Sequence, residues 1–310
     1  MSRIERILVP TDFSRPSTHA VAYAVGLARV HGSRVELLHS YGIPARAMGQ
    51  YDSSLPGDVL ATLRDAAARK LLKTFEKVKA EGVDVDMRVT DASPAEAIAA
   101  SATRLSVQLI VMGTHGRSGL KHVLLGSVAE RTVRLAPCPV MTVKEPPLEA
   151  EAGRFRKILV PTDFATEARA ALELASDLAA TSGPAEVIVG HAYCVPAEIE
   201  ALVAAEGDPR VHAFTQTLLA EMERLIEPLT EDGVSASFRL RAGNPERVIV
   251  DTANEEGVDL IVMATHGRTG LSHVLLGSVA ERVLRLARCP VITVSSRGHP
   301  TRAAGEPKGG

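Results

Sequence analysis

Tryptophan is absent from this 310-residue chain and only 3% of its residues are aromatic. Its cores must therefore be filled by Val, Leu, Ile and Ala, a composition that suits buried parallel strands and Ala-rich helices. Cysteine is scarce: three residues, an odd number and unclustered, which argues against a disulfide framework and for a reducing compartment. Cys138 and Cys289 each precede a Pro and an apolar run, and read as small buried hydrophobes at a strand entrance rather than redox centres. Cys194 reads as a free thiol. Charge of one sign is missing too, since the formal net charge is -2 and no Lys/Arg run exists. That excludes a basic field for nucleic acid and a cationic membrane patch. No apolar run reaches membrane-spanning length, the first residues lack a signal-peptide pattern, and no ligand spacing suits zinc. The expectation is a cytoplasmic chain with neither nucleic acid nor membrane as partner.

What is present is a duplication. MGTHGRSGLKHVLLGSVAERTVRLAPCPVMTV, from Met112 to Val143, returns from Met263 to Val294 with seven positions changed, a displacement of 151 residues. The same displacement carries Ile7-Leu-Val-Pro-Thr-Asp-Phe13 onto Ile158-Leu-Val-Pro-Thr-Asp-Phe164. Whole domains are repeated, each large enough for one core. The boundaries are read as 1–146 and 156–296, with a Pro-containing exposed linker at 147–155 and a disordered tail at 297–310.

Each half alternates short Val/Ile/Leu runs with helical patterns, the signature of strand-helix-strand units and an open parallel sheet. In the first half the spacing predicts strands at 6–10, 34–40, 84–90, 109–113 and 140–144, and helices at 15–30, 58–81, 94–105 and 127–136. Ser14 is the predicted N-cap of the first helix, with Gly32 past its end, and Thr166 precedes the equivalent helix of the second half.

In such sheets ligands bind outside the carboxyl ends of the strands. There the chain reads Gly113-Thr-His-Gly116, nine residues, then Gly126-Ser127. Glycines let backbone N–H groups approach an anion, and a helix opening at Ser127 has a dipole that favours negative charge. Ser127-Val-Ala-Glu130 also reads as a capping box, so the spacing alone suits a simple cap or a phosphate cradle. It is neither a Walker loop nor a dinucleotide fingerprint.

With these motifs on view, the chain resembles a tandem universal stress protein carrying the family's G-x-x-G, nine residues, G-S ATP-binding pattern. The resemblance spans nearly the whole chain. It implies two five-stranded, Rossmann-like or flavodoxin-like α/β domains of the adenine nucleotide alpha hydrolase type, packed as a pseudo-two-fold dimer. It implies ATP as ligand, with Mg²⁺ as an accompanying ion. In the first domain Gly116, Gly126 and Ser127 would hold the phosphates and Val128 would add a backbone contact, while Pro10, Thr11, Asp12, Met112 and Gly113 would line the adenosine end. Arg117, inside the glycine loop, reads either as a solvated loop residue or as a partner for terminal phosphate oxygens. In the second domain the equivalents are Pro161, Thr162, Asp163, Met263, Ala264, Gly267, Arg268, Gly277, Ser278 and Val279. Ala264 departs from the pattern, and its methyl is tolerated at negative φ or crowds the ribose otherwise. A second departure sets Ala92-Ser93-Pro94 opposite Gly243-Asn244-Pro245, which puts strain on the first domain if that turn needs Gly.

Asp12 and Asp163 admit two readings, an Asx turn or a nucleoside or Mg²⁺ contact. His115 and His266 read as members of a solvated loop, and His122 and His273 as decoration before the capped helix. The expected function is a nucleotide-dependent regulatory and binding module in stress response. A slow ATP-hydrolysing or phosphoryl- or adenylyl-transferring enzyme is the alternative from another class, because parts for catalysis are present without a recognisable assembly. A nucleotide-free structural dimerisation protein is the third. The strands after each Cys-Pro are expected to pair the two halves; a homodimer of full chains and unidentified protein partners stay open.

Overall fold

The computed structural model describes residues 4–42, 57–114, 125–146, 153–193, 209–266 and 276–295. In the first half the order is β1 (Arg6–Pro10), α1 (Arg15–His31), β2 (Arg34–Ser40), α2 (Gly57–Ala80), β3 (Val85–Thr90), α3 (Pro94–Arg104), β4 (Leu109–Gly113), α4 (Ser127–Leu135) and β5 (Val140–Val143). The second half repeats it as β6 (Lys157–Pro161), α5 (Thr166–Ser182), β7 (Glu186–Tyr193), α6 (Pro209–Glu231), β8 (Ser235–Ala242), α7 (Pro245–Glu255), β9 (Leu260–Ala264), α8 (Ser278–Leu286) and β10 (Val291–Val294). This is the expected strand-helix alternation.

Local chemistry explains the helix ends. The Ser14 hydroxyl accepts from the Ser17 N–H, Pro16 sits in the first turn, and Gly32 at φ 67° closes α1 by donating to the Ala28 carbonyl. Such a left-handed C-terminal residue costs Gly nothing. In the second half α5 begins at Thr166 itself, with Ala165 as its N-cap, and no side chain caps that helix.

All ten strands form one sheet in the order β3-β2-β1-β4-β5-β10-β9-β6-β7-β8. Every neighbouring pair is parallel except β5 and β10, which run antiparallel with Val291 opposite Thr142 and Thr293 opposite Val140. The two halves are joined through these edges, as the Cys-Pro strands led us to expect, and the join removes two exposed edges. Strand alternation then sorts the core. Ile7 and Val9 with Ile158 and Val160 belong to one apolar cluster that runs continuously through both halves. Leu8 faces a separate cluster under α3 and α4, and Leu159 another under α7 and α8. Leu125 and Leu276 pack against both of these. Each fully buried Leu or Ile contributes about 2 kcal/mol through area removed from water.

Two sequence expectations change here. Gly243 adopts φ 140°, whereas Ala92 is not among the residues at positive φ, so the first domain turns from β3 into α3 without the strain that a required Gly would have imposed. Gly153, at the end of the stretch read as an exposed linker, is buried at φ 79°, and a Cβ there would lie 2.1 Å from the Gly26 carbonyl carbon on α1. The second domain is therefore seated on the first before its first strand begins.

Candidate functional site

The chain runs from β1 outward through β2 and β3, then returns to add β4 and β5 on the other side of β1. The crevice between β1 and β4 is the switch point at which open α/β sheets bind ligands. At the end of β1 the backbone makes a strained corner, with Phe13 at φ 64°. The Thr11 hydroxyl accepts from the Phe13 N–H at 3.0 Å and Asp12 Oδ1 accepts from the Ser14 N–H at 3.0 Å. From β2 the His39 ring donates through Nδ1 to the Thr11 carbonyl at 2.7 Å and stacks at a tilt 4.5 Å from the Phe13 ring. The second half reproduces each contact with Thr162, Asp163, Phe164 at φ 64° and His191. A non-Gly residue held left-handed costs of order 1 kcal/mol or more, and here two hydrogen-bonded turns and a ring contact hold it. The Asx-turn reading of Asp12 and Asp163 is thus realised, and both carboxylates still line the crevice.

The start of α4 corrects the capping-box reading. Gly126 is the N-cap, its carbonyl accepting from the Glu130 N–H at 2.9 Å, and no side chain caps the helix. Ser127 is the first helical residue. In the second half Gly277 and Ser278 stand in the same positions, with Glu281 donating to the Gly277 carbonyl. A Cβ on Gly277 would lie 2.8 Å from the Thr265 carbonyl oxygen, so close approach of two backbone segments excludes any side chain there.

Pro10, Thr11, Asp12, Met112, Gly113, Gly126, Ser127 and Val128 come together around one cleft of about 180 Å³. Pro161, Thr162, Asp163, Met263, Ala264, Gly277, Ser278 and Val279 surround a second of about 280 Å³. Gly116, Arg117, His115, His122, Gly267, Arg268, His273 and Cys194 lie outside the described residues. Ala264 is not at positive φ. A Cβ on Gly113 would lie 2.8 Å from Pro16 and 2.9 Å from the Ser17 nitrogen, so the Gly at 113 allows α1 to approach β4. In the second half Glu167 and Ala168 replace Pro16 and Ser17.

His266 departs from the solvated-loop reading. It lines the second cleft, its Nδ1 lies 2.9 Å from the Thr265 hydroxyl, and its Nε2 is buried with no hydrogen-bond partner among the described residues. Burial pushes the Cys138 and Cys289 thiols up to about 12, which leaves them protonated and inert at neutral pH. No group of three or more His, Cys, Asp or Glu among the described residues is arranged to hold a metal, and no described helix is long and apolar enough to cross a membrane.

Sequence reasoning missed the apolar end of each cleft, Leu38, Pro94 and Ile98 in the first half and Gly190, Pro245 and Ile249 in the second. It also missed the histidines that brace the β1 corner. Pro94 and Pro245 follow a strand and open a helix, which places them at the carboxyl end of the sheet and could have flagged them. Leu38 and His39 read as ordinary strand residues until the register sets them beside Pro10.

The universal stress protein family profile matches residues 3–144 and again 154–295. A universal stress protein of Methanocaldococcus jannaschii is 32% identical over 151 residues, covering 47% of this chain and 85% of that one. A universal stress protein of Mycolicibacterium smegmatis is 27% identical over 303 residues, covering 94% and 97% of the two chains. The crystal structure of a universal stress protein from Archaeoglobus fulgidus superposes with a TM-score of 0.70 at 23% identity, over 94% of this chain and 97% of that one, which speaks to the fold. With both halves matched and the fold shared end to end, the chain belongs to the universal stress protein family, in a two-domain form.

Proposed function

We propose that both clefts are adenine-nucleotide sites and that the chain is a nucleotide-dependent regulatory module of the stress response, each domain, 1–146 and 156–296, taking one ATP. One observation carries the reading. In each half a helix with a Gly N-cap and no side-chain cap opens onto a cleft whose opposite end is apolar. Unsatisfied N–H groups and the helix dipole suit phosphate at one end, and Leu38, Pro94 and Ile98, or Pro245 and Ile249, suit a flat base at the other. The His266 Nε2, buried with no partner among the described residues, adds a polar atom in the second cleft that suits a ligand.

In this reading Gly116, Gly126 and Ser127, with Gly267, Gly277 and Ser278, hold the phosphates, and Arg117 and Arg268 pair with terminal oxygens. Pro10, Thr11, Asp12, Met112 and Gly113, with Pro161, Thr162, Asp163, Met263 and Ala264, line the nucleoside end. Val128 and Val279 contribute backbone. One carboxylate per cleft, Asp12 or Asp163, suits Mg²⁺ only in company with phosphate oxygens, a common arrangement for that ion. A bound nucleotide adds negative charge at the start of α4 or α8, and the single sheet and the Leu125 and Leu276 contacts are what connect the two sites.

Equilibrium titration of the purified chain with ATP, together with identification of nucleotide released on heating, tests this. Close to two nucleotides per chain is expected. No binding in titration and none released would return the chain to a purely structural role. Multiple turnovers of radiolabelled ATP that Gly116→Val abolishes with the fold intact would make it an enzyme instead.

A further inference from the structure

The two clefts are built from equivalent positions but not to the same size. In the first half Pro10 of β1 pairs with Leu38 of β2 and the Thr11 N–H donates to the Leu38 carbonyl at 2.9 Å. In the second half Pro161 pairs with Gly190, and the Thr162 N–H donates to the Gly190 carbonyl at 2.8 Å. Leu38 and Gly190 therefore hold the same place in the fold. Leu38 is 2% exposed and lines the first cleft, packed with Ile98 and Met112. At Gly190 that side chain is missing, and two residues on, Ala192 stands where the first half has Ser40. The second cleft is also the larger, about 280 Å³ against about 180 Å³.

The change from Leu38 to Gly190 falls at one end of the cleft. Strand order sets β2 on the far side of β1 from β4, and α4 starts from the β4 side, so position 38 or 190 lies away from the helix N-terminus. It lies at the apolar end assigned to the base. Lost hydroxyls change the cleft's chemistry as well. Ser40, two residues past Leu38, becomes Ala192 in the second cleft, and Ser17, beside Gly113, becomes Ala168.

We infer that the two sites differ in specificity, with Gly190 letting the second site accept purine nucleotides whose base carries added apolar bulk, and Leu38 excluding them from the first. The inference rests on the nucleotide reading above. One chain then senses two ligand pools, ordinary ATP in both domains and a base-extended nucleotide in the second alone. A hydrophobic pocket discriminates one added carbon by roughly tenfold or more.

The probe is etheno-ATP, whose adenine carries a fused third ring and fluoresces, titrated beside ATP into the full chain, Gly190→Leu and Leu38→Ala. Expected are two ATP and one tight etheno-ATP per wild-type chain. In Gly190→Leu etheno-ATP binding weakens at least about tenfold, while the untouched first domain still binds ATP. In Leu38→Ala a second etheno-ATP site appears. A Cβ at 190 meets only the end of the Leu159 side chain, at 3.2 Å, so Gly190→Leu tests the inference even if Leu38→Ala folds poorly. Two equal etheno-ATP sites in the wild type, or etheno-ATP binding unchanged in Gly190→Leu while ATP binds normally, overturns the specificity and leaves the nucleotide reading standing. Failure of the wild type to bind either nucleotide sinks both.

Discussion

Lys144, one residue past the last strand of the first domain, donates from Nζ to the Ala287 carbonyl of the second domain at 2.8 Å, and to the Arg285 carbonyl at 2.7 Å. These carbonyls belong to the last turn of α8, the helix whose first residue is Ser278. A cation there complements the helix dipole. The repeat places Ser295 at the equivalent position of the second domain, and its hydroxyl is buried with no hydrogen-bond partner among the described residues. The pseudo-two-fold is thus broken at its centre: Lys144 of the first domain clamps the helix of the second, and Ser295 returns no such bond among the described residues.

Burial lowers the Lys144 pKa from 10.5 to about 8. Between those values the unfolded chain keeps the proton and the folded chain has released it, so stability contributed at this position rises with pH across that window. The melting temperature of the wild type minus that of Lys144→Met should therefore increase between pH 7 and pH 10. A difference that stays flat in calorimetry would show that the ammonium is not desolvated.

Ser127→Ala separates a cap from a ligand contact. Loss of a capping hydroxyl costs about 1 kcal/mol, whereas a first-turn Ser with no capping bond should change stability by less than about 0.5 kcal/mol. Denaturant unfolding should show the smaller value, and ATP titration of the first site a loss of about fivefold to tenfold. A full kcal/mol lost with ATP affinity untouched would restore the capping box.

Gly113→Ala should destabilise the first domain by about 1 to 3 kcal/mol, because its Cβ meets the backbone of Pro16 and Ser17 and overpacking at a rigid contact is costly. Ala264→Gly, the reverse change in the second domain, should cost about 1 kcal/mol or less. Equal effects in urea melts would mean that α1 and α5 approach their strands alike.

Cutting the chain at a protease site placed within 147–152 should leave the halves together. Met141 and Ile292, opposite one another in the β5–β10 ladder, are both fully buried, and the core cluster on one face runs through both domains. Size exclusion should give one species with the volume of the intact protein. Two separating species would contradict the continuous sheet.

The duplication and the strand-helix alternation were legible in the sequence, because periodicity and turn chemistry are local. The family resemblance pointed to Pro10, Thr11, Asp12, Met112, Gly113, Gly126 and Ser127 at the first crevice, but not to Leu38, Pro94 or Ile98. Family resemblance added the expectation that the Cys-Pro strands pair the halves, and β5 meets β10 accordingly. Gly126 rather than Ser127 as the N-cap of α4, and Gly113 as the place where α1 approaches β4, depend on how backbones meet across the sheet. Adjacent small residues look alike in sequence. The contrast of Leu38 with Gly190 also came only from tertiary structure, since strand register alone sets each beside the Pro that ends the first strand of its domain. So did the clamp by Lys144, whose partners lie more than a hundred residues away. By itself the sequence determined what each half is. Long-range packing decided how the two halves, nearly identical in their glycine segments, came to differ.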